Sequence, residues 1–208
     1  MSRASISTLR KAELQKAAFE VIHKLGFNAA TVEDVARHAG VSKGIVHHYF
    51  DSKHHLLEYA TRYAQGILGQ AARQRLRKVK TPSERLWAII EANFAVEIMN
   101  PGYFRLWFEA LDDKRLRFLF DIIELRNRSN LEFALKELIP PQNAPDTANA
   151  IMNLYDGYWL LASIDPAITR EHALSAIAEY VSELVPGFDR SVVGRARHEP
   201  LTSRHGRT

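Results

Sequence analysis

The chain has no cysteine. That removes disulfides and thiolate zinc sites and fits a reducing compartment. No run approaches about eighteen consecutive apolar residues, so neither a membrane-spanning helix nor a membrane partner is expected. Met1–Ser7 lacks the long apolar core of a signal peptide, which leaves the cytoplasm as the default location. Strand signals and internal repeats are missing. The marks of catalysis are missing too. There is no Gly-rich phosphate loop, no Ser/His/Asp order in a supporting context, and no paired carboxylates in a helical frame. Nothing favours an enzyme, and no cofactor is implied.

What is present suits a folded chain of one or two domains. The 208 residues are 46% hydrophobic and 25% charged, enough to bury a sizeable core. The formal charge is +4 with a pI near 9.4, and its placement matters more than its sum. Thr61–Lys80 carries Arg62, Arg73, Arg75, Arg77, Lys78 and Lys80 with no acidic residue. Residues 190–208 set Arg190, Arg195, Arg197, Arg204 and Arg207 against Glu199 alone. Such runs are either a solvated surface or a source of nonspecific phosphate attraction.

The most informative stretch is Thr31–Lys53, T-V-E-D-V-A-R-H-A-G-V-S-K-G-I-V-H-H-Y-F-D-S-K. Thr31 is placed to cap a helix, with Asp34 three residues on reaching back to complete a capping box. Val32, Val35, Ala36 and Ala39 share one face. Gly40 ends the helix by taking the left-handed conformation. Val41 is expected between the helices. Ser42 starts a second helix, whose Ile45, Val46, Tyr49 and Phe50 divide between the core and the exposed side. Two short helices with glycine in the turn make a helix-turn-helix, and the second helix of that motif enters the DNA major groove. An earlier helix over 8–25, with Leu14, Ala17, Ala18, Val21, Ile22 and Leu25 as its stripe, braces the pair. Arg10 and Lys11 near its start are read as solvated charge that can touch phosphate.

Together with Phe19, Gly26-Phe27, Gly44, Lys53 and Leu56-Leu57, this stretch resembles the N-terminal domain of TetR-family transcriptional regulators. The resemblance covers about the first 57 residues. The run G-I-V-H-H-Y-F is most similar to the choline-responsive branch that represses betaine synthesis, and the later L-Y-D-G-Y-W-L resembles that branch as well. The family often has Tyr where this chain has His47. The resemblance implies an all-α fold of about nine helices: a three-helix DNA-binding domain over 1–52 and a helical ligand-binding and dimerisation domain over 53–188. Residues 189–208 are left as a basic tail expected to be disordered. It also implies a repressor that a small molecule releases from double-stranded operator DNA.

The helices of the second part follow from their start and stop signals. Ser52 caps a long fourth helix over Lys53–Leu76, with Leu56, Leu57, Ala60, Ala64, Ile67, Leu68 and Ala71 as its packing face. Thr81-Pro82-Ser83-Glu84 opens a fifth helix expected to reach Met99. Asn100-Pro101 opens a sixth over about 101–111. A seventh spans about 113–139, with Leu116, Leu119, Phe120, Ile123, Leu131, Ala134 and Leu138 inward, and Pro140-Pro141 stops it. The eighth covers about 146–163. Thr169 caps the ninth, which reaches about Val185. The last two carry two apolar stripes each: Ala148, Ile151, Met152, Tyr155 and Trp159 beside Ala150, Leu154, Tyr158 and Leu161, then Ala173, Ile177, Val181 and Leu184 beside Ala176 and Tyr180. A helix apolar on two sides must be covered twice, either inside its own subunit or by a second copy. The resemblance favours a homodimer through residues 146–185.

Two sites are expected. At the DNA end, Lys43, Gly44 and His47 are assigned to bases, and Thr31, Ser42, His48, Tyr49 and Lys53 to phosphates, each with an ordinary cap or a solvated side chain as the alternative. His47, His48, His54 and His55 raise the question of a metal. Adjacent histidines diverge on a helix and no carboxylate completes a set, so none is expected. At the other end, Tyr103, Phe104, Trp107, Phe108, Tyr155, Tyr158 and Trp159 either pack a core or line a cavity, with Glu109 and Asp156 as nearby carboxylates. The cavity reading suits a quaternary ammonium ion, held by cation–π attraction of about 0.5–2 kcal/mol per ring. The site proper is placed at Phe104, Trp107, Phe108, Glu109, Tyr155, Asp156 and Trp159. Bound effector favours a dimer whose reading helices lose their spacing of about 34–36 Å, which weakens DNA binding by about 1–3 kcal/mol. The rival reading is a DNA-binding dimer that senses no small molecule and acts through a protein partner or DNA packaging.

Overall fold

Among the described residues every regular element is helical. The computed structural model describes residues 3–95 and 114–194. Within them lie eight α-helices: α1 (Arg3–Leu25), α2 (Val32–His38), α3 (Lys43–Tyr49), α4 (Lys53–Leu76), α5 (Pro82–Ala92), α6 (Lys114–Leu135), α7 (Ala144–Ile164) and α8 (Arg170–Leu184). Two 3-10 turns, Pro141–Asn143 and Arg190–Val192, complete the order. The helix expected over 101–111 lies outside the described residues.

Two units can be distinguished among the described residues. One takes 3–67, 114–124 and 159–168; the other takes 68–95, 125–158 and 169–194. In the first, the α1 stripe of Leu14, Ala17, Ala18, Val21 and Ile22 is buried, together with Val35, Ala36, Val46, Phe50, Leu56, Leu57 and Ala60. Leu25, expected in that stripe, is exposed instead. It is the last residue of α1, one position before Gly26 turns the chain at φ +80°. Val41, expected between the helices, is only half-buried. Gly40 takes the left-handed conformation that the turn needs, at φ +65°.

The second unit is centred on α5, whose residues from Leu86 to Ala92 are all buried. Also buried in this unit are Leu131, Ala134 and Leu135 of α6, Ala148 and Ile151 of α7, and Ala173, Ile177 and Val181 of α8. The Thr81–Glu84 capping box opens α5 as expected. The helix stops at Ala92, however, not at Met99. Its end is set by Asn93, whose Nδ2 donates to the Ile89 carbonyl at 2.9 Å while its Oδ1 accepts from Asn127 of α6 at 3.1 Å. The backbone tightens there into i→i−3 bonds, Asn93 to Ile90 and Phe94 to Glu91, both 3.1 Å. Helix α6 likewise ends at Leu135, four residues short of expectation, where Leu138 N–H turns back to the Leu135 carbonyl at 2.8 Å.

The first residues assigned to a tail are built into this unit. The Asp189 side chain accepts from Ser191 N–H and starts the second 3-10 turn, and Val192 is buried. The Asp189 N–H donates to Ser83 Oγ at 2.9 Å, and Phe188 packs 6.3 Å from Trp87. Gly187 permits the approach, since a Cβ there would meet the Leu138 carbonyl oxygen at 2.7 Å. Residues 195–208 of the expected tail lie outside the described residues.

Candidate nucleic-acid interface and effector site

The helix-turn-helix is built by local hydrogen bonds. Thr31 Oγ1 accepts from Asp34 N–H at 3.1 Å, and Asp34 Oδ2 accepts from Thr31 N–H at 3.1 Å, closing the capping box. The Thr31 hydroxyl also donates to Asp34 Oδ2 at 2.6 Å. These bonds, led by that of the hydroxyl, hold the Asp34 carboxyl below its ordinary value. Val41 N–H then bonds the Ala36 carbonyl at 3.0 Å across the turn. Ser42 is the N-cap of α3 by position, but its side chain makes no capping bond there. Its hydroxyl is thereby free of the cap it was expected to supply.

The outward side of α3 carries the expected residues. Lys43, Gly44, His47 and His48 are exposed, Tyr49 is half-buried, and Val46 faces the core. His48 and Tyr49 meet edge to face at 5.3 Å. Lys53 is more committed than expected: its Nζ donates to the Asn28 carbonyl at 2.8 Å and lies 4.7 Å over the Phe27 ring. An ammonium has three donors, so one bond to protein leaves donors for a phosphate. His54 and His55 belong to ring packing, His54 against Phe27 at 5.9 Å and His55 against Tyr59 at 4.8 Å. Lys11 sits 4.7 Å over Tyr59, and Arg10 pairs with Glu13 at 3.2 Å.

One residue of this surface was missed. Glu33, exposed in the first turn of α2, accepts a hydrogen bond from Lys43 Nζ. The bond and the charge of that ammonium lower the Glu33 pKa. The two residues are ten apart on different helices, a pairing that no helical spacing predicts.

At the other end, Phe104, Trp107, Phe108 and Glu109 lie outside the described residues. Tyr155 is buried and meets Phe94 edge to face at 5.7 Å. Its hydroxyl has no hydrogen-bond partner among the described residues. Burial pushes its pKa well above the ordinary phenol value. Trp159, one turn on along α7, is buried too. Asp156 is exposed, because the helix turns it away from the side that carries Tyr155 and Trp159. Tyr158 is half-buried and sits 6.2 Å from His172.

Among the described residues, the buried carboxylate of this unit is Glu91. Its Oε1 receives Arg170 Nη2 at 3.1 Å, and its Oε2 receives Arg75 Nε at 3.4 Å. Glu91 and Phe94 were both overlooked. A lone carboxylate inside the apolar run Leu86–Ala92 was the available signal for the first. Phe94 lies past the end of α5, in a stretch where the apolar pattern runs on as if the helix continued.

Comparison with known proteins decides the family. Residues 14–60 match the bacterial regulatory proteins of the TetR family, and residues 82–186 match the C-terminal domain of BetI-type transcriptional repressors. The chain belongs to the TetR family. It is 33% identical over 190 residues to the HTH-type transcriptional regulator BetI of Pectobacterium carotovorum subsp. carotovorum (strain PC1), covering 88% of this chain and 97% of that one. The BetI regulator of Vibrio campbellii (strain ATCC BAA-1116) is 32% identical over 197 residues, covering 91% and 99%. A transcriptional regulator from Saccharomonospora viridis, solved in complex with choline, shares the fold at a TM-score of 0.74 and 18% identity, covering 86% of this chain and 98% of that one. This TetR-family chain is therefore a ligand-responsive DNA-binding repressor with a BetI-type second domain, not an enzyme. TetR-family regulators bind operator DNA and small-molecule effectors. These matches do not favour the reading in which no small molecule is sensed. No helix among the described residues is long and apolar enough to cross a membrane.

Proposed function

We propose that this repressor is released from its operator by a quaternary ammonium compound such as choline, bound beside Tyr155. The observation that carries the reading is the Tyr155 hydroxyl, buried without a partner among the described residues. Leaving such a group unpaired costs about 1–3 kcal/mol. A choline-sized ligand offers an apolar, cationic trimethylammonium end to the Tyr155 and Phe94 rings and a hydroxyl to pair with the phenol. The Saccharomonospora viridis regulator's complex with choline supports the same ligand class. Trp159, Phe104, Trp107, Phe108 and Glu109 remain the other residues expected to bind an effector. Asp156, being exposed, would serve only as a carboxylate at its edge.

The working form is a homodimer through residues 146–185. Helix α7 exposes Leu160, Leu161 and Ile164, and α8 exposes Tyr180 and Leu184. Apolar stripes of this kind, on helices consecutive in the chain, are covered when a second copy packs against them. At the DNA end, Lys43, Gly44 and His47 face base edges, and Thr31, Ser42, His48, Tyr49 and Lys53 face phosphates. Effector binding favours a conformation in which the two reading helices no longer fit successive turns of the operator.

The test is binding of the purified protein to the DNA upstream of its own coding sequence, at fixed salt, with and without choline. Weakening by choline of about 5–150-fold, the usual span of allosteric coupling, is expected. Specific binding that choline leaves unchanged would remove the effector and keep the repressor.

A further inference from the structure

Glu33 is a carboxylate on the surface that reads DNA, where negative charge opposes binding. Its side chain and that of Lys43 are each more than half exposed, at 57% and 52%. Exposed pairs of this kind contribute little to stability, so a folding role does not account for it. Arg37, on the same helix, is paired with Asp34 at 3.2 Å. Lys43 opens α3, and His47 follows one turn later.

We propose that Glu33 is a specificity-determining residue that acts through Lys43, cancelling its attraction to phosphates in general while holding its ammonium in place for one base edge. Two effects work in the same direction. A paired ammonium presents no net charge, so it contributes little to counterion release, the sequence-independent part of binding. A lysine also loses rotamer entropy on binding, and a side chain already held at the helix start loses less of it on meeting guanine O6 and N7. Nonspecific binding is therefore weakened while specific binding is preserved, and the ratio between them rises. The inference rests on the reading that Lys43 faces DNA.

The experiment compares wild type, Glu33→Gln, Lys43→Gln and the double variant. Each is titrated with the chain's own upstream duplex and with poly(dA-dT), which lacks the guanine O6 and N7 pair, over a series of salt concentrations. Asp121→Asn, an exposed carboxylate on α6, controls for bulk charge. Glu33→Gln is expected to tighten poly(dA-dT) binding several-fold, to steepen its log–log salt slope by about 0.9 per protomer, and to lower the specific-to-nonspecific ratio. In the Lys43→Gln background the same substitution is expected to leave that ratio unchanged. An unchanged or higher ratio in Glu33→Gln, an equal fall in Asp121→Asn, or a fall that persists without Lys43 would each overturn the inference. If Lys43→Gln alters neither affinity nor salt slope, it is the placement of Lys43 at DNA that fails.

Discussion

Arg170 Nε donates to the carbonyl oxygen of Phe94 at 2.6 Å, joining the first residue of α8 to the turn after α5 across 76 positions of chain. The same guanidinium reaches Glu91, which also holds Arg75. A buried carboxylate is tolerable only while its partners stay in place. Removing one leaves the group to bear its desolvation with fewer bonds. Arg170→Met is therefore expected to destabilise the fold by about 1.5–3 kcal/mol, the scale of hydrogen bonds to charged groups. Urea denaturation should show a lower midpoint with an unchanged m value. An unaltered midpoint would mean that Arg75 alone satisfies Glu91.

This network marks the limit of what could be read without the structure. Thr31, Ser52, Thr81 and Thr169 were legible as caps, because each satisfies a donor three residues away in sequence. Gly40 and the bounds of α3 and α4 were legible for the same local reason. The end of α5 was not. The apolar pattern runs on past Ala92, and Asn93 stops the helix partly through Asn127, 34 residues away. Glu33–Lys43 and Arg170–Phe94 were also invisible, since packing sets them and periodicity does not. Of the ligand-end residues, Tyr155 and Trp159 fell on the buried side by simple i, i+4 spacing, while Asp156 fell outside it.

Two threonine caps of identical chemistry separate folding from DNA contact. Thr31 and Thr81 each close a capping box. Replacing either with alanine should cost about 0.5–2 kcal/mol of stability. Only Thr31 is assigned to phosphate. At a temperature where both variants are fully folded, Thr31→Ala should weaken binding to specific and unrelated duplexes alike, whereas Thr81→Ala should match wild type. Equal affinities for the two would reduce Thr31 to a structural cap.

The Tyr155 phenol makes stability depend on alkaline pH. Its folded-state pKa lies above the ordinary value of 10.0 because burial disfavours the phenolate. Below pH 10 both folded and unfolded chains keep the proton, and this contribution is fully present. As pH rises further the unfolded chain gives up its proton first, so stability falls by up to about 1.4 kcal/mol per pH unit until the folded pKa is passed. Tyr155→Phe should lose less stability than wild type between pH 9 and 11, as read from urea midpoints. At neutral pH it should be as stable as wild type or more so, because a buried hydroxyl without a partner among the described residues is removed. Its DNA binding should persist, but choline should weaken that binding less. A variant that responds to choline like wild type would place the effector away from this hydroxyl.

The exposed apolar residues on α7 and α8 test the assembly. Ile164 is 71% exposed, and Leu161 and Leu184 are each 43% exposed. If a second copy covers them, a charge on each surface must be desolvated at the interface without a partner. Leu161→Glu combined with Leu184→Glu should then leave the helical content intact and shift the protein to monomer in sedimentation velocity. Operator binding should weaken in parallel and become steeply dependent on protein concentration, since two reading helices would have to assemble on the DNA. Because both residues are already exposed, the substitutions cost the isolated subunit little, and a fall in helicity would not be expected. A variant that stays dimeric would show that the two chains meet through another face.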